Sequence, residues 1–142
     1  MATPDAGRYF ELDPGAAPAG VSGRYVDLDS GVAPVEFVPG LTFRPVLGDR
    51  MLVSFVTYEP GTVAPTHTHE EEQISFVVDG EFEFDLDGDK RVMKPGMAVV
   101  IPSFVPHGAR TYDSTCFQID VFHPPRKVLL EAMRRQTGEN PR

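Results

Sequence analysis

Three histidines at two places in the chain have the residue type and the spacing of a metal site. His67 and His69 are separated by one residue, Gln73 follows shortly after, and His107 lies further along the sequence. Neutral imidazoles are the commonest protein ligands for zinc, nickel, copper and iron. In a β-strand, residues i and i+2 point to the same face, so His67 and His69 can converge on one ion. If His107 reaches them from a neighbouring strand, the chain is a metalloprotein.

The overall composition limits the kinds of partner that the protein can bind. The 142-residue chain is most simply one domain, and it carries a formal net charge of −8 with a pI near 4.9. Nucleic acids and anionic membranes require a basic protein surface, so we expect neither as a partner. A small-molecule substrate is the expected ligand.

Cysteine usage and the ends of the chain bear on the cellular compartment. Cys116 is the only cysteine, which excludes an internal disulfide. The first residues have neither the basic nor the apolar region of a signal peptide, and no apolar run approaches the length of a membrane span. These features predict a cytoplasmic protein.

Short strands separated by Gly and Pro dominate the chain and predict an all-β sandwich or barrel. Asp79-Gly80 and Asp87-Gly88 are typical of two-residue hairpin turns. The segments rich in β-branched and aromatic residues, which we predict to be strands, are Gly23–Leu28, Pro34–Val38, Met51–Glu59, Gln73–Val78, Glu81–Leu86, Lys90–Met93, Met97–Ile101 and Cys116–Phe122.

A short helix is predicted near the C-terminus, packed on the outside of the β body. It begins after Pro124-Pro125, and its apolar stripe has i, i+4 spacing through Val128, Leu129, Ala132 and Met133. Residues 1–38, rich in Gly, Pro, Ala and Asp, are predicted to form an arm that is partly disordered or that covers an edge strand of this subunit or a partner. Residues 138–142 are the remaining tail.

Two spaced motifs in this β-rich chain resemble those of the cupin family. The first motif reads Gly61, His67, His69, Gln73 and Gly80, with Gln in the position that usually holds Glu. The second reads Gly96, Pro102, Phe104 in place of Gly, His107, and Thr111 in place of Asn. The resemblance implies a jelly-roll barrel (a double-stranded β-helix) over residues 39–137, and a homodimer. It also implies one divalent metal ion (Zn, Ni, Fe or Mn) held by His67, His69 and His107, with Gln73 as the fourth ligand.

A narrower resemblance is to the pectin-degradation cupins, which linearise unsaturated uronates. It covers roughly residues 39–126 and rests on His-x-His-x-x-x-Gln together with Asp120, Phe122, Pro125 and Arg126. Similar sequences also occur among polyketide cyclases, so the motif identifies a site better than a substrate. The implied activity is that of a metal-dependent lyase, isomerase or cyclase. An Fe-dependent dioxygenase and a non-catalytic small-molecule-binding module are the alternatives.

Asp120 and Arg126 are the predicted catalytic residues. Asp120 alternates in phase with Gln118 and Phe122, so it faces the barrel interior if Phe122 does. A carboxylate in an apolar interior is either paired, for instance with Arg126, or functional, and by resemblance we expect it to act as a general acid/base. Arg126 would then bind a substrate carboxylate.

Other polar and aromatic residues near the motifs are expected to lie outside the chemistry. We expect the run Glu70–Glu72 to be solvated, with Glu71 as the exception to watch because it shares strand parity with His69. His123 is out of phase and is not an expected ligand. The aromatic residues expected in the core or pocket wall are Tyr58, Phe76, Phe84 and Phe104.

Overall fold

The computed structural model describes residue 10 and residues 15–138, and it contains ten strands and two helices within that part of the chain. The elements, in chain order, are α1 (Leu28–Gly31), β1 (Val35–Val38), β2 (Leu41–Leu47), β3 (Leu52–Tyr58), β4 (Val63–His67), β5 (Glu72–Asp79), β6 (Phe82–Leu86), β7 (Asp89–Met93), β8 (Ala98–Ile101), β9 (His107–Arg110), β10 (Cys116–His123) and α2 (Lys127–Gln136). Of the predicted arm, residues 1–9 and 11–14 lie outside the described residues, and so do residues 139–142 of the predicted tail.

The strands form two antiparallel sheets that pack face to face. One sheet has six strands in the order β1-β2-β3-β10-β5-β8, and the other has four in the order β4-β9-β6-β7. The core lies between them, where Phe43 and Val56 of the first sheet face Phe82 and Phe84 of the second, and all four side chains are buried. The Tyr58 and Phe82 rings meet edge to face at 5.4 Å between centroids. The predicted all-β jelly roll with a C-terminal helix is confirmed.

One predicted hairpin is wrong. Asp79-Gly80 does not join paired strands, because β5 belongs to the six-stranded sheet and β6 to the four-stranded sheet. The turn carries the chain from one sheet to the other. Gly80 has φ 72°, and a Cβ atom there would lie 2.0 Å from the Thr115 carbonyl oxygen, so the crossing requires glycine. Asp87-Gly88 does close the β6–β7 hairpin.

The chain before β2 differs from the prediction in one segment. Gly23–Leu28 forms no strand, and residues 28–31 are instead a short helix whose first amides bond to the Asp27 side chain. The predicted strand near Pro34 is present as β1, and it pairs with β2 inside the six-stranded sheet.

Two strands with poor strand-forming sequences are stabilised by their neighbours. β4 contains Pro65 and a register shift, and β9 reads His-Gly-Ala-Arg. A Cβ atom on Gly108 would lie 2.9 Å from the Ala64 carbonyl oxygen, so glycine permits the close approach of β4 and β9. Tertiary pairing outweighs the weak local preference here, and it does so beside two of the candidate ligands.

Helix α2 packs against β1, the edge strand of the six-stranded sheet. Leu129 is buried, Ala132 and Met133 pack against the core, and Val128 is exposed, contrary to its predicted place on the buried stripe. The Gln136 side chain donates to the Pro34 carbonyl at 2.7 Å, which anchors the far end of the helix. Neither helix in the described part of the chain is long and apolar enough to cross a membrane.

Candidate metal centre

The three predicted histidines come together at the paired ends of β4 and β9. His67 is the last residue of β4 and His107 is the first of β9, and the two are register partners. His69 follows two residues after β4. One ring nitrogen from each histidine lies within 4.8 Å of the others, a separation that allows all three to bind one ion.

The backbone orients all three imidazole rings in the same way. The Nδ1 atoms lie 2.6 Å, 2.9 Å and 2.9 Å from the carbonyl oxygens of Pro65, Glu71 and Val105, in the order His67, His69, His107. A carbonyl accepts only from N–H, so Nδ1 carries the hydrogen and Nε2 presents its lone pair. His107 Nε2 is buried and has no hydrogen-bond partner among the residues that the structure describes. Such second contacts are what hold metal-binding histidines in the required tautomer.

The protonation state of the cluster also suits metal binding. Burial lowers the pKa of His67, of His69 and of His107, and the nearby Arg126 charge acts in the same direction on each. A lowered pKa keeps the imidazoles neutral at physiological pH. Neutral imidazole is the form that binds a metal.

Gln73 extends the cluster from β5. Its Oε1 lies 3.0 Å from His69 Nε2, while its amide nitrogen donates to Ser75 Oγ at 2.8 Å and to Asp120 Oδ1 at 3.1 Å. These donations set the direction of the amide and turn Oε1 towards His69 Nε2. Two lone pairs then face each other, an arrangement that a cation between them would stabilise. The residues present therefore fit a divalent metal, and Gln73 stays the predicted fourth ligand.

Asp120 lies inside the barrel, as its strand parity predicts, and it lines a cavity of about 300 Å³. Ser75 Oγ donates to Oδ1, and Gln118 Nε2 donates to Oδ2 at 3.1 Å. Burial raises the pKa of Asp120, and the hydrogen bonds from Ser75, Gln118 and Gln73 oppose that rise. The carboxylate is thus held in position next to the candidate metal ligand Gln73.

Arg126 faces the same cavity from the residue before α2. Its guanidinium lies over the rings of Phe37 and Phe122, with its carbon 5.5 Å and 5.7 Å from the ring centroids. Arg126 forms no ion pair with Asp120 or with any other carboxylate of the described residues, and its buried Nε has no hydrogen-bond partner. A half-buried guanidinium whose Nε is unpaired among the described residues is suited to an anionic ligand.

Glu71 is buried, and it is the exception within the glutamate run. The residue is 4% exposed, and its Oε2 accepts from the Lys127 backbone N–H at 2.9 Å, at the start of α2. Its other carboxylate oxygen is 3.8 Å from His69 Nδ1. Glu70 and Glu72 are exposed as expected. Glu71 therefore joins the histidine loop to the helix that follows Arg126, a contact between residues far apart in sequence.

The expectation that four aromatic residues lie in the core or pocket wall is wrong for two of them. Phe76 and Phe104 are exposed, whereas Tyr58 and Phe84 are buried and line the cavity. Phe104 occupies the second-motif glycine position with φ 64°, a conformation that is rare for a bulky residue. Its backbone N–H donates to the His69 carbonyl at 2.8 Å and joins the two motif loops.

Replacing Glu71 with alanine should destabilise the fold. The change removes the acceptor of the first α2 amide, and lost helix-capping interactions typically cost about 1–2 kcal/mol of unfolding free energy. Urea denaturation measures the loss. Glu70→Ala is the matched control, because Glu70 makes only an exposed 3.7 Å ion pair with Lys127 and its removal should leave stability nearly unchanged. Equal effects of the two variants would contradict the capping role.

Comparison with known proteins agrees with this fold. The cupin domain family matches residues 54–121. The pectin degradation protein KdgF of Dickeya dadantii is 30% identical over 83 residues, which cover 58% of this chain and 76% of that protein. The chain belongs to the cupin family.

Within the cupins, the chain is similar to both a pectin-degradation protein and a lyase. The solved structure of KdgF from Halomonas sp. shares 31% identity and superposes with a TM-score of 0.71, covering 76% of this chain and 99% of that one. Dimethylsulfoniopropionate lyase DddQ of Ruegeria pomeroyi is 44% identical over 64 residues, which make up 44% of this chain and 32% of the lyase. The match therefore spans about a third of that lyase.

Proposed function

We propose that the protein is a metal-dependent enzyme of the lyase, isomerase or cyclase type that acts on a small carbonyl or carboxylate compound. One observation carries the proposal: a single cavity of about 300 Å³ is lined by His67, His107, Asp120 and Arg126. A candidate cation site, a proton-transfer group and an anion-binding group thus face the same space. That combination is typical of an active site.

The chemistry of the donors indicates what kind of substrate would react. Three imidazoles and one amide are neutral, so a divalent ion held by His67, His69, His107 and Gln73 would keep its full charge and supply Lewis acidity to a carbonyl or carboxylate oxygen. The identity of the ion (Zn, Ni, Fe or Mn) depends on availability as much as on affinity.

The protein's own residues would handle the proton and the substrate anion. Asp120 would move a proton at the carbon or oxygen next to the polarised group, with Ser75 and Gln118 holding its two oxygens. Arg126 would bind the substrate carboxylate and orient it. The apolar cavity wall, which includes Phe82 and Leu129, would exclude water from the reacting atoms.

The names of two relatives support this class of activity. One is called a pectin degradation protein and the other a lyase of dimethylsulfoniopropionate, itself a small carboxylate. The proposed substrate of the present chain is accordingly a small oxygen-rich carboxylate, such as an unsaturated uronate. We also propose a homodimer located in the cytoplasm, in keeping with the acidic composition and the free, buried Cys116.

A metal analysis paired with a substrate screen tests the proposed function. Protein purified without added metal should contain one divalent ion per chain, and it should convert at least one small carboxylate without consuming oxygen. Iron together with oxygen consumption would instead support the dioxygenase alternative. Ligand binding without turnover of any carboxylate would support a non-catalytic module.

Replacing Arg126 with glutamine should weaken substrate binding more than it slows the chemistry. A bidentate charge-assisted pair contributes about 1.5–3 kcal/mol, so KM for a carboxylate substrate should rise about 10- to 100-fold. Steady-state kinetics measure the change. Arg134→Gln is the control, because Arg134 is exposed in the last turn of α2 and its loss should leave KM unchanged. An unaltered KM in Arg126→Gln would show that the arginine does not bind substrate.

A further inference from the structure

Two buried polar atoms in the wall of the cavity have no hydrogen-bond partner among the described residues. They are Ser54 Oγ on β3 and Gln118 Oε1 on β10. Both residues line the cavity of about 300 Å³ that also contains Asp120. Ser54 is 1% exposed and Gln118 is 2% exposed, so neither is a surface residue of the ordinary solvated kind. A buried polar atom without a partner costs free energy, so both atoms require an explanation.

The pairing of the strands brings the two atoms to the same carboxylate. Ser54 is the register partner of Asp120 across β3 and β10, and side chains at such paired positions are close neighbours on one face of the sheet. Gln118 lies two residues before Asp120 on β10 and therefore on the same face. Its Nε2 donates to Asp120 Oδ2 at 3.1 Å. Both unpaired oxygens thus lie beside Asp120.

A second serine beside Asp120 shows what a structural role looks like at this position. Ser75 is the register partner of Asp120 on the other flanking strand, β5. It donates to Asp120 Oδ1 and accepts from Gln73 Nε2 at 2.8 Å, so its hydroxyl is used within the protein. Ser54 occupies the corresponding place on β3 and makes no such bond to a described residue. Asp120 is therefore held in position without Ser54.

One kind of ligand group, a hydroxyl, matches both unpaired atoms. Gln118 Oε1 can only accept a hydrogen bond, whereas Ser54 Oγ can donate one. A hydroxyl group both donates and accepts, so it satisfies the two atoms together. A methylene group satisfies neither of them. A second carboxylate only accepts, and it would be repelled by the nearby Asp120 carboxylate.

The charges around the cavity disfavour an ammonium group at this place. Arg126 lines the same cavity, and its guanidinium forms no ion pair with any carboxylate of the described residues. A divalent ion at the histidines would add further positive charge. Both oxygens of Asp120 already accept hydrogen bonds from neighbouring side chains. A neutral hydroxyl needs no counter-charge, so it is the group that these surroundings favour.

We propose that Ser54 and Gln118 form a subsite that binds a substrate hydroxyl group and makes the protein selective for hydroxylated acids. The carboxylate end of such an acid is the part that the proposed function assigns to Arg126, and the subsite rests on that assignment. What the subsite adds is a choice among acids of the same length. A site built to hydrogen-bond a hydroxyl rejects the analogue that lacks it, because the buried polar atoms of the site are then left unpaired.

Two six-carbon acids that differ only in their hydroxyl groups, D-gluconate and hexanoate, test the subsite by isothermal titration calorimetry. The wild-type protein should bind gluconate at least about tenfold more tightly than hexanoate, as two added hydrogen bonds imply. Ser54→Ala should weaken gluconate binding about 5- to 10-fold and leave hexanoate binding unchanged. Contacts of the gluconate hydroxyls with a metal ion are the same in the wild type and the variant. The change in the affinity ratio therefore measures the subsite alone.

Thermal denaturation separates a binding role of Ser54 from a structural one. Alanine removes a buried polar atom that has no partner in the described part of the chain, so Ser54→Ala should melt at the wild-type temperature or above it. Gln118→Met keeps the length of the side chain but removes the acceptor, and it should also reduce the preference for gluconate. Ser103→Ala is the matched control, because Ser103 is exposed in the turn between β8 and β9 and its loss should leave the preference unchanged.

Three results would overturn the proposal: equal affinity of the wild type for the two acids, a gluconate preference that survives both Ser54→Ala and Gln118→Met, or equal weakening of both acids by Ser54→Ala. The second result would mean that the two atoms bind water only. If the wild type bound neither acid, the proposed carboxylate-binding function would itself fail, and the subsite with it. Equal binding of both acids would overturn the subsite alone, so the two failures can be told apart.

Discussion

Replacing Asp120 with asparagine should cut turnover by roughly 10²–10⁴-fold, the usual contribution of one acid/base residue, while leaving metal content and melting temperature nearly unchanged. Asparagine keeps the size of the side chain and accepts the hydrogen bond from Ser75, but it cannot transfer a proton. Steady-state kinetics, elemental analysis and thermal denaturation together measure the effect.

The hydrogen-bond network around Asp120 explains why the variant should fold normally. Gln118 Nε2 donates to one carboxylate oxygen, and Gln118 Oε1 is buried with no partner in the described part of the chain. In the variant, a flip of the Gln118 amide would let that oxygen accept from the new asparagine nitrogen. The flip replaces one hydrogen bond between the two side chains by another, so their number stays the same and little stability should be lost.

An exposed aspartate provides the control for this substitution. Asp113 lies in the turn before β10, and Asp113→Asn should turn over at the wild-type rate. Normal turnover of Asp120→Asn would mean that Asp120 is structural. Loss of metal or of the fold would mean that it supports the site, and Glu71, 3.8 Å from His69 Nδ1, would be the next candidate for the acid/base.

The double variant His67→Ala/His69→Ala should lose its metal. Removing two of three imidazoles leaves His107 and Gln73, too few donors to retain an ion, so the content should fall from one per chain to less than about a tenth. Activity should fall to background with it. Elemental analysis of protein purified without added metal measures the loss.

His123 offers a matched control within the same chain. It is the fourth histidine, it is exposed at the end of β10, and it lies outside the cluster of three. His123→Ala should keep full metal content. If the double variant also kept one ion per chain, the metal would have to bind elsewhere.

Short-range patterns in the sequence determined the main features of the barrel. Period-two alternation predicted the inward direction of Asp120, and Gly and Pro punctuation predicted most of the strands. These inferences succeeded because strand geometry and turn chemistry are local, and local patterns persist in the folded chain. The i, i+2 spacing of His67 and His69 likewise depends on geometry within a few residues.

Features that depend on which strands become neighbours could not be predicted in this way. Asp79-Gly80 has the composition of a hairpin turn, yet it crosses between sheets, because β5 pairs with β10 and β8 rather than with β6. Strand β9 forms from His-Gly-Ala-Arg only because β4 and β6 flank it. Pairing over long sequence distances outweighs local propensity at these places.

The sequence by itself determined which side chains could perform chemistry, since residue types, their spacing and the family resemblance specify the candidate ligands, the candidate acid/base and the candidate anion-binding group. Only the tertiary structure decided how these side chains are oriented and which partners they contact. The carbonyls of Pro65, Glu71 and Val105 orient the imidazoles. The backbone N–H of Lys127, far along the chain, donates to the buried Glu71 carboxylate. Arg126 is left without an ion pair among the described residues, because it lies against two aromatic rings rather than against Asp120. Burial and hydrogen bonding set these states, and both arise from contacts between segments far apart in the chain.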